Sequence, residues 1–165
     1  MKIKVGISNH HVHLSKEALN ILFGEGYELT VKSMLLQKEQ FAANEQVTLE
    51  RNGKKLEHIR IVGPVRPYTQ VELLEKDNEY FGIHAPVRAS GDLENSESMM
   101  IIGPKGVYMA NSSVIVANRH IHMSPSDAAS FGVKDGDYID IDAFSGTRKT
   151  RWFDVQIRVN ENFRL

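Results

Sequence analysis

Two histidine pairs are the residues of this 165-residue chain best suited to chemistry. One lies in Asn9-His10-His11-Val12-His13-Leu14-Ser15 and the other in Asn118-Arg119-His120-Ile121-His122-Met123-Ser124. On a strand, side chains alternate between faces, so His11 and His13 share a face, as do His120 and His122. Two imidazoles so placed can both reach one divalent ion, at ~2.0–2.1 Å per bond for zinc. One copy alone also fits a half-buried strand whose rings are satisfied by backbone carbonyls. The repetition, with Asn and Ser at matching offsets, favours metal ligation and suggests two halves facing a shared site. His10 lies on the opposite strand face and aligns with Arg119, which suits a polar or anion-contacting position. His58 and His84 are solitary and read as surface or hydrogen-bonded residues.

Two further stretches carry polar chemistry. In Gly63-Pro64-Val65-Arg66-Pro67-Tyr68-Thr69-Gln70-Val71-Glu72, prolines on either side of Arg66 restrain the backbone, which suits a guanidinium held for an anion. Glu72 ends that run on a strand, where its carboxylate could ligate a metal. The same residues also fit a loop with a surface arginine and a solvated glutamate. Pro86-Val87-Arg88-Ala89-Ser90-Gly91-Asp92 is a polar turn in which Arg88, Ser90 and the following N–H groups could receive phosphate, although it lacks the spacing of a Walker loop.

The elements that must position these residues are mostly strands. A β-branched run precedes each histidine pair, Ile3–Ile7 in the first copy and Val114–Val116 in the second, and a capped helix follows. Ser15 caps Lys16–Phe23, with Ala18, Ile21 and Leu22 as the apolar stripe and Gly24 as a left-handed stop. Ser124 caps the second helix, with Pro125 at its first position, Asp127 three residues after the cap and Gly132 at its end. Asn52-Gly53 joins Val47–Arg51 to Leu56–Val62 as a hairpin. Val71–Leu74, Met100–Ile102, Val107–Met109, Tyr138–Asp142 and Trp152–Val159 read as further strands, and Pro86–Ser98 as an ordered functional loop. Short strands with only two or three helices predict a mainly-β protein built as small barrels or a sandwich.

Composition narrows the function. The formal charge is -1, with 25% charged residues and no Lys/Arg run, which argues against nucleic acid or a charged membrane surface as a partner. No apolar stretch approaches the ~20 residues needed to span a bilayer. With no signal peptide either, the expected compartment is cytoplasmic. The chain has no cysteine, so disulfides, thiolate ligands and cysteine nucleophiles are excluded. Any metal must be held by nitrogen and oxygen.

Taken together, Asn9-x-His11-Val12-His13-Leu14-Ser15, Gln40-Phe41-Ala42, Gly63-Pro64-x-Arg66-x-x-Thr69-Gln70-Val71-Glu72, Pro86-Val87-Arg88-x-Ser90-Gly91 and Arg119-His120-Ile121-His122-Met123-Ser124 resemble the phosphate propanoyltransferase family, in register over essentially the whole chain. The resemblance implies two β-barrels related by a pseudo-two-fold, with short capping helices and two zinc ions in the cleft between. Here the halves would be roughly residues 1–95 and 96–165. It implies interconversion of a short acyl-CoA (propionyl or acetyl) plus phosphate with acyl phosphate plus CoA. His11, His13, Glu72, His120 and His122 would then be metal ligands, and Arg66 and Ser90 would hold phosphate. Arg88, Arg119 and Gln70 are additional site candidates. With no cysteine available, phosphate is expected to attack the thioester directly.

Family members usually carry arginine where His10 stands, so an anion contact there is expected to be weaker. They also continue past Leu165 to a further histidine. The expectation from this chain is therefore an incomplete second metal site and weak or absent turnover. A homodimer free in the cytoplasm is expected, because no microcompartment-targeting extension precedes the first motif. Two rival readings stand beside this one. The first is a cupin-like single-metal enzyme using His11, His13 and Glu17. The second is a metal-stabilised module that has lost catalysis.

Overall fold

The computed structural model describes residues 5–37, 39–144 and 147–163. In chain order the elements are β1 (His11–His13), α1 (Lys16–Phe23), β2 (Val31–Met34), β3 (Phe41–Arg51), β4 (Lys54–Gly63), β5 (Gln70–Leu73) and α2 (Glu75–Phe81). They continue with β6 (Val87–Arg88), β7 (Glu97–Ile102), β8 (Val107–Ala117), β9 (His120–Met123), α3 (Pro125–Phe131), β10 (Tyr138–Ala143) and β11 (Thr150–Val159). Among the described residues the protein is mainly β, with three short helices. Its contacts group Ile7–Ala117 into one compact unit, and the described residues of 5–6 and 118–163 into another.

In the larger unit a six-strand ring closes through the pairings β1–β4, β4–β3, β3–β7, β7–β8, β8–β5 and β5–β1. Closure leaves no free edge within the ring, and β2 and β6 add outside it on β3 and β8. The β3–β4 hairpin turns at Asn52 and Gly53, with φ of 51° and 73°, the left-handed pair that a two-residue hairpin requires. The barrel interior is filled: Val12, Leu49, Ile61, Val71, Ile101 and Val114 are each 0% exposed.

Helix α1 plugs into this core. The Ser15 hydroxyl accepts from the Ala18 N–H at 3.1 Å, as its position predicts. The buried stripe is Ala18, Leu19 and Leu22, with Ile21 left 40% exposed, so the expected face is corrected by one position. The β7–β8 turn causes the rotation. Its Lys105 N–H donates to the Leu22 carbonyl at 3.0 Å, and a Cβ on Gly103 or Gly106 would lie 2.5 or 2.6 Å from the Leu22 or Ile21 carbonyl oxygen. Only glycine lets that turn pass so close to the helix end. Gly24 ends α1, but at φ 109° and ψ 155° it is outside the left-handed helical region expected for it.

The smaller unit repeats the order of the larger. In both, a histidine strand enters a capped helix, and the second strand of a following hairpin pairs back in parallel with the histidine strand: β4 with β1, and β11 with β9. The Ser124 hydroxyl and Asp127 carboxylate form the expected capping box on α3, and Gly132 closes that helix in the left-handed region. The described strands of this unit form a three-stranded sheet, ordered β10–β11–β9, over Met123, Ala128 and Ile157. Val114–Val116 lies in β8, as expected of the run before the second motif. In the first copy Ile3 and Lys4 lie outside the described residues, and residues 5–9 are not strand.

Candidate active site

Strand register assembles the site. The antiparallel β1–β5 pairing sets His11 opposite Glu72, Val12 opposite Val71 and His13 opposite Gln70. Directly opposed residues share a face, so the two valines enter the filled core while His11, His13, Gln70 and Glu72 line the outer face. His11, His13 and Glu72 offer ligand atoms that all lie within 4.8 Å of one another. The two Nε2 atoms are 3.2 Å apart, and the Glu72 carboxylate lies 3.4 Å from His11 Nε2 and 3.7 Å from His13 Nε2.

The hydrogen bonds behind the rings decide which nitrogens face inward. His11 Nδ1 is 2.8 Å from the Asn9 carbonyl, and His13 Nδ1 is 3.0 Å from the Val62 carbonyl. A carbonyl only accepts, so each Nδ1 carries a proton and each ring turns its Nε2 toward the other and toward Glu72. Burial first, then the Arg66 guanidinium and His11, depress the His13 pKa to about 2. That ring is neutral at any physiological pH. Two imidazole nitrogens and a carboxylate converging within 4.8 Å are the donor set a divalent cation satisfies. The carbonyl-anchored Nδ1–H groups are the usual outer support of such ligands.

Beside this cluster lies an anion-binding arrangement. Arg66 is pinned through its backbone, whose N–H donates to the Leu14 carbonyl at 2.9 Å. Its neighbour Thr69 ties the same loop to Ser15, accepting the Ser15 N–H at 3.0 Å and donating to the Ser15 hydroxyl at 3.1 Å. The Arg66 guanidinium donates to Ser90 Oγ at 3.2 Å. Gln70 Nε2 donates to Ser90 Oγ at 2.9 Å and to Glu72 Oε1 at 2.6 Å, while Gln70 Oε1 accepts the Gly91 N–H at 2.8 Å. Arg66 also borders an open cavity of about 440 Å³ lined in part by Ser15, Lys16, Tyr68, Tyr108 and Asn111.

The structure thus brings His11, His13, Gln70, Glu72, Arg66 and Ser90 together in the larger unit. Arg88 is engaged elsewhere, bonded to the Asp92 carboxylate at 2.8 Å. His10 turns away from the other two histidines and meets Asp77 at 3.2 Å. His58 and His84 are exposed, and His58 sits at a φ of 61°. Glu17 is exposed on α1, so the carboxylate that joins the His11 pair is Glu72 and not the one a cupin-like arrangement would use.

In the smaller unit the second copy reproduces the local anchoring. His120 Nδ1 is 2.8 Å from the Asn118 carbonyl, matching His11 on Asn9. The rings of His120 and His122 are 4.6 Å apart. Burial, then His120 and the Arg158 guanidinium opposite on β11, lower the His122 pKa to about 4, so this ring too is neutral. Phe163 packs on His122 with ring centroids 4.0 Å apart, and Arg119 donates to the Phe153 carbonyl at 3.3 Å.

Sequence reasoning missed two contributors. The carbonyls of Asn9 and Asn118 were signalled by an asparagine two residues before the first histidine in both copies. Helix α2 was signalled by Asp77, whose carboxylate accepts the Leu74 N–H at 2.8 Å, and by Gly82, which ends it in the left-handed region. Gln70 was already among the site candidates, but its amide contacts had no local signal beyond Glu72 on its own strand, since Ser90 and Gly91 lie in a distant loop.

Comparison with known proteins places this geometry in context. A family model described as phosphate propanoyltransferase matches residues 4–165. A phosphate propanoyltransferase of Thermotoga maritima is 50% identical over 163 residues, covering 99% of this chain and 78% of the relative. One from Lachnoclostridium phytofermentans is 45% identical over 166 residues, covering 99% and 76%. One from Priestia megaterium is 44% identical over 163 residues, covering 99% and 75%.

Proposed function

The chain belongs to the phosphate propanoyltransferase family of acyltransferases, and from that premise we propose that it interconverts propionyl-CoA or acetyl-CoA plus phosphate with acyl phosphate plus CoA by direct attack of phosphate on the thioester. The observation that carries this reading is the His11–His13–Glu72 ligand set joined through Gln70 to the Arg66–Ser90 pair. His11, His13 and Glu72 would hold a divalent ion, and a nitrogen-and-oxygen donor set of this kind suits zinc. When bound, such an ion supplies Lewis acidity and a seat for the departing sulfur. His120 and His122 are assigned to a second ion.

The remaining work falls to this chain's own side chains. The Arg66 guanidinium binds phosphate and offsets its charge, and the Ser90 hydroxyl orients it. Phosphate is already anionic at neutral pH, so its oxygen needs no general base. A C–O bond forms at the acyl carbon, the C–S bond breaks, and CoA leaves as the thiolate. With no cysteine in the chain, the acyl group passes straight to phosphate. The Nδ1–H groups of His11 and His13 stay bonded to the Asn9 and Val62 carbonyls throughout.

The test is a phosphate-dependent CoA-release assay on propionyl-CoA and acetyl-CoA with the zinc-loaded chain. Release is expected only with phosphate present, with acyl phosphate as the co-product and intersecting initial-rate patterns. Ping-pong kinetics with a trapped acyl-protein, or release indifferent to phosphate, would overturn the reading. A homodimer is the assembly we propose, and light scattering at the monomer mass would remove it.

A further inference from the structure

Ser90 is held by two donors at once, the Gln70 amide and the Arg66 guanidinium. A serine oxygen has two lone pairs and one proton. Both lone pairs on Ser90 Oγ are taken, one by Gln70 Nε2 at 2.9 Å and one by Arg66 at 3.2 Å. The Ser90 proton is therefore left to be given away, and no acceptor for it occurs among the described residues. Which way the Gln70 amide faces is itself settled by the backbone. The Gly91 N–H can only donate, so it selects Oε1 and turns both Nε2 protons toward Ser90 and Glu72. Gln70 is 0% exposed and has no alternative partner in solvent.

We infer that Gln70 is a positioning residue that makes Ser90 a dedicated hydrogen donor to an oxyanion while orienting the Glu72 carboxylate from the same amide. One group thereby couples the anion pocket to the metal ligand. Glu72 Oε1 is occupied by Gln70 at 2.6 Å, leaving Oε2, the oxygen nearer His11, as the better-placed ligand atom. The polarity also selects the ligand. An oxyanion such as phosphate accepts the Ser90 proton, whereas a donor-only group such as an ammonium or an amide N–H meets a serine with no lone pair to offer. This inference rests on the reading that phosphate is the second substrate.

A double-mutant cycle on the full chain tests it, with inorganic phosphate as the probe, binding followed by calorimetric titration and zinc content measured in parallel. Ser90→Ala removes the donor. Gln70→Met removes the amide at similar volume. Gln70→Glu keeps the acceptor for the Gly91 N–H but makes Ser90 spend its proton on the new carboxylate. Each single variant is expected to weaken phosphate binding about tenfold, and Ser90→Ala with Gln70→Met is expected to be no weaker than Ser90→Ala alone. The Gln70 variants, unlike Ser90→Ala, are also expected to change zinc affinity. Additive losses in the double variant, or phosphate binding unchanged in Gln70→Glu, would overturn the inference. The two readings fail separately. A chain that shows the cycle but makes no acyl phosphate would lose the proposed activity and keep the role of Gln70. A chain active with propionyl-CoA but without the coupling would do the reverse, and a wild-type chain that binds no phosphate would lose both.

Discussion

His13 is the position where a single atom decides most. Its Nδ1–H is committed to the Val62 carbonyl, its ring is 2% exposed and its pKa lies at about 2, so its Nε2 stays a bare lone pair at neutral pH. Glu72→Gln keeps the shape of the ligand set and removes its charge. Zinc affinity is expected to fall by more than the ~10–100-fold typical of losing an outer partner, read by competition with a chromogenic chelator. Unchanged affinity would exclude Glu72 as a ligand. Arg66→Lys keeps the charge but not the planar fork. The KM for phosphate is expected to rise about tenfold while the KM for acyl-CoA holds, and an equal rise in both would mean that Arg66 does not address phosphate. The paired imidazoles were legible because their offsets repeat in two places. The bonds that tie the Gln70 amide to Ser90 and Gly91 were not, because a contact with a loop about twenty residues away leaves no periodic mark.

Among the elements, α1 and the turn that covers its end carry the clearest expectations. Gly103→Ala would set a methyl 2.5 Å from the Leu22 carbonyl oxygen. Its cost is expected to be about 1–3 kcal/mol by urea denaturation, and a neutral result would mean the turn yields freely. The loop between α1 and β3 carries a pH-dependent tie. Burial raises the Glu45 pKa, but hydrogen bonds from Thr30, its own backbone and Tyr27 outweigh it, and the carboxyl ends below its ordinary value. A depressed carboxylate contributes stability that is whole above the unfolded pKa and disappears as pH falls through the folded one. The stability gap between wild type and Glu45→Gln is therefore expected at pH 7 and to close on acidification below about pH 4. A gap that persists at pH 2 would mean the bonds do not depend on charge. Caps and hairpin turns could be read in advance because their chemistry is local. The face of α1 could not, because the β7–β8 turn that displaces Ile21 comes from about eighty residues later in the chain.

For the molecule as a whole, the two compact units differ in how much they bury. The larger contains a closed ring around a continuous core, whereas the smaller gathers Met123, Ala128 and Ile157 beneath three strands. Amide exchange is expected to be faster across β9–β11 than across β1, β4 and β5, since a smaller apolar core opens at lower free energy. Equal protection in both would show that they open together. Zinc at 100 times its dissociation constant is expected to stabilise the native chain by about 2.7 kcal/mol. In His11→Ala this stabilisation should shrink in both thermal and chelator titrations. The mainly-β character was legible from short alternating runs and turn pairs. Barrels were expected, but which strands close the ring was not legible, because closure depends on β3 meeting β7 and β1 meeting β5, pairings between strands that no local turn joins.

The three residues of β1 serve two masters, with Val12 inside the barrel wall and a histidine on either side of it outside. Inserting or deleting a single amino acid just ahead of this strand would exchange the two populations, driving imidazoles into hydrocarbon and hanging a valine over the reactive surface. The stretch between Asn9 and Leu14 should therefore tolerate many substitutions better than any change of length. Indel scanning across the gene would reveal that intolerance as a narrow, sharply bounded trough.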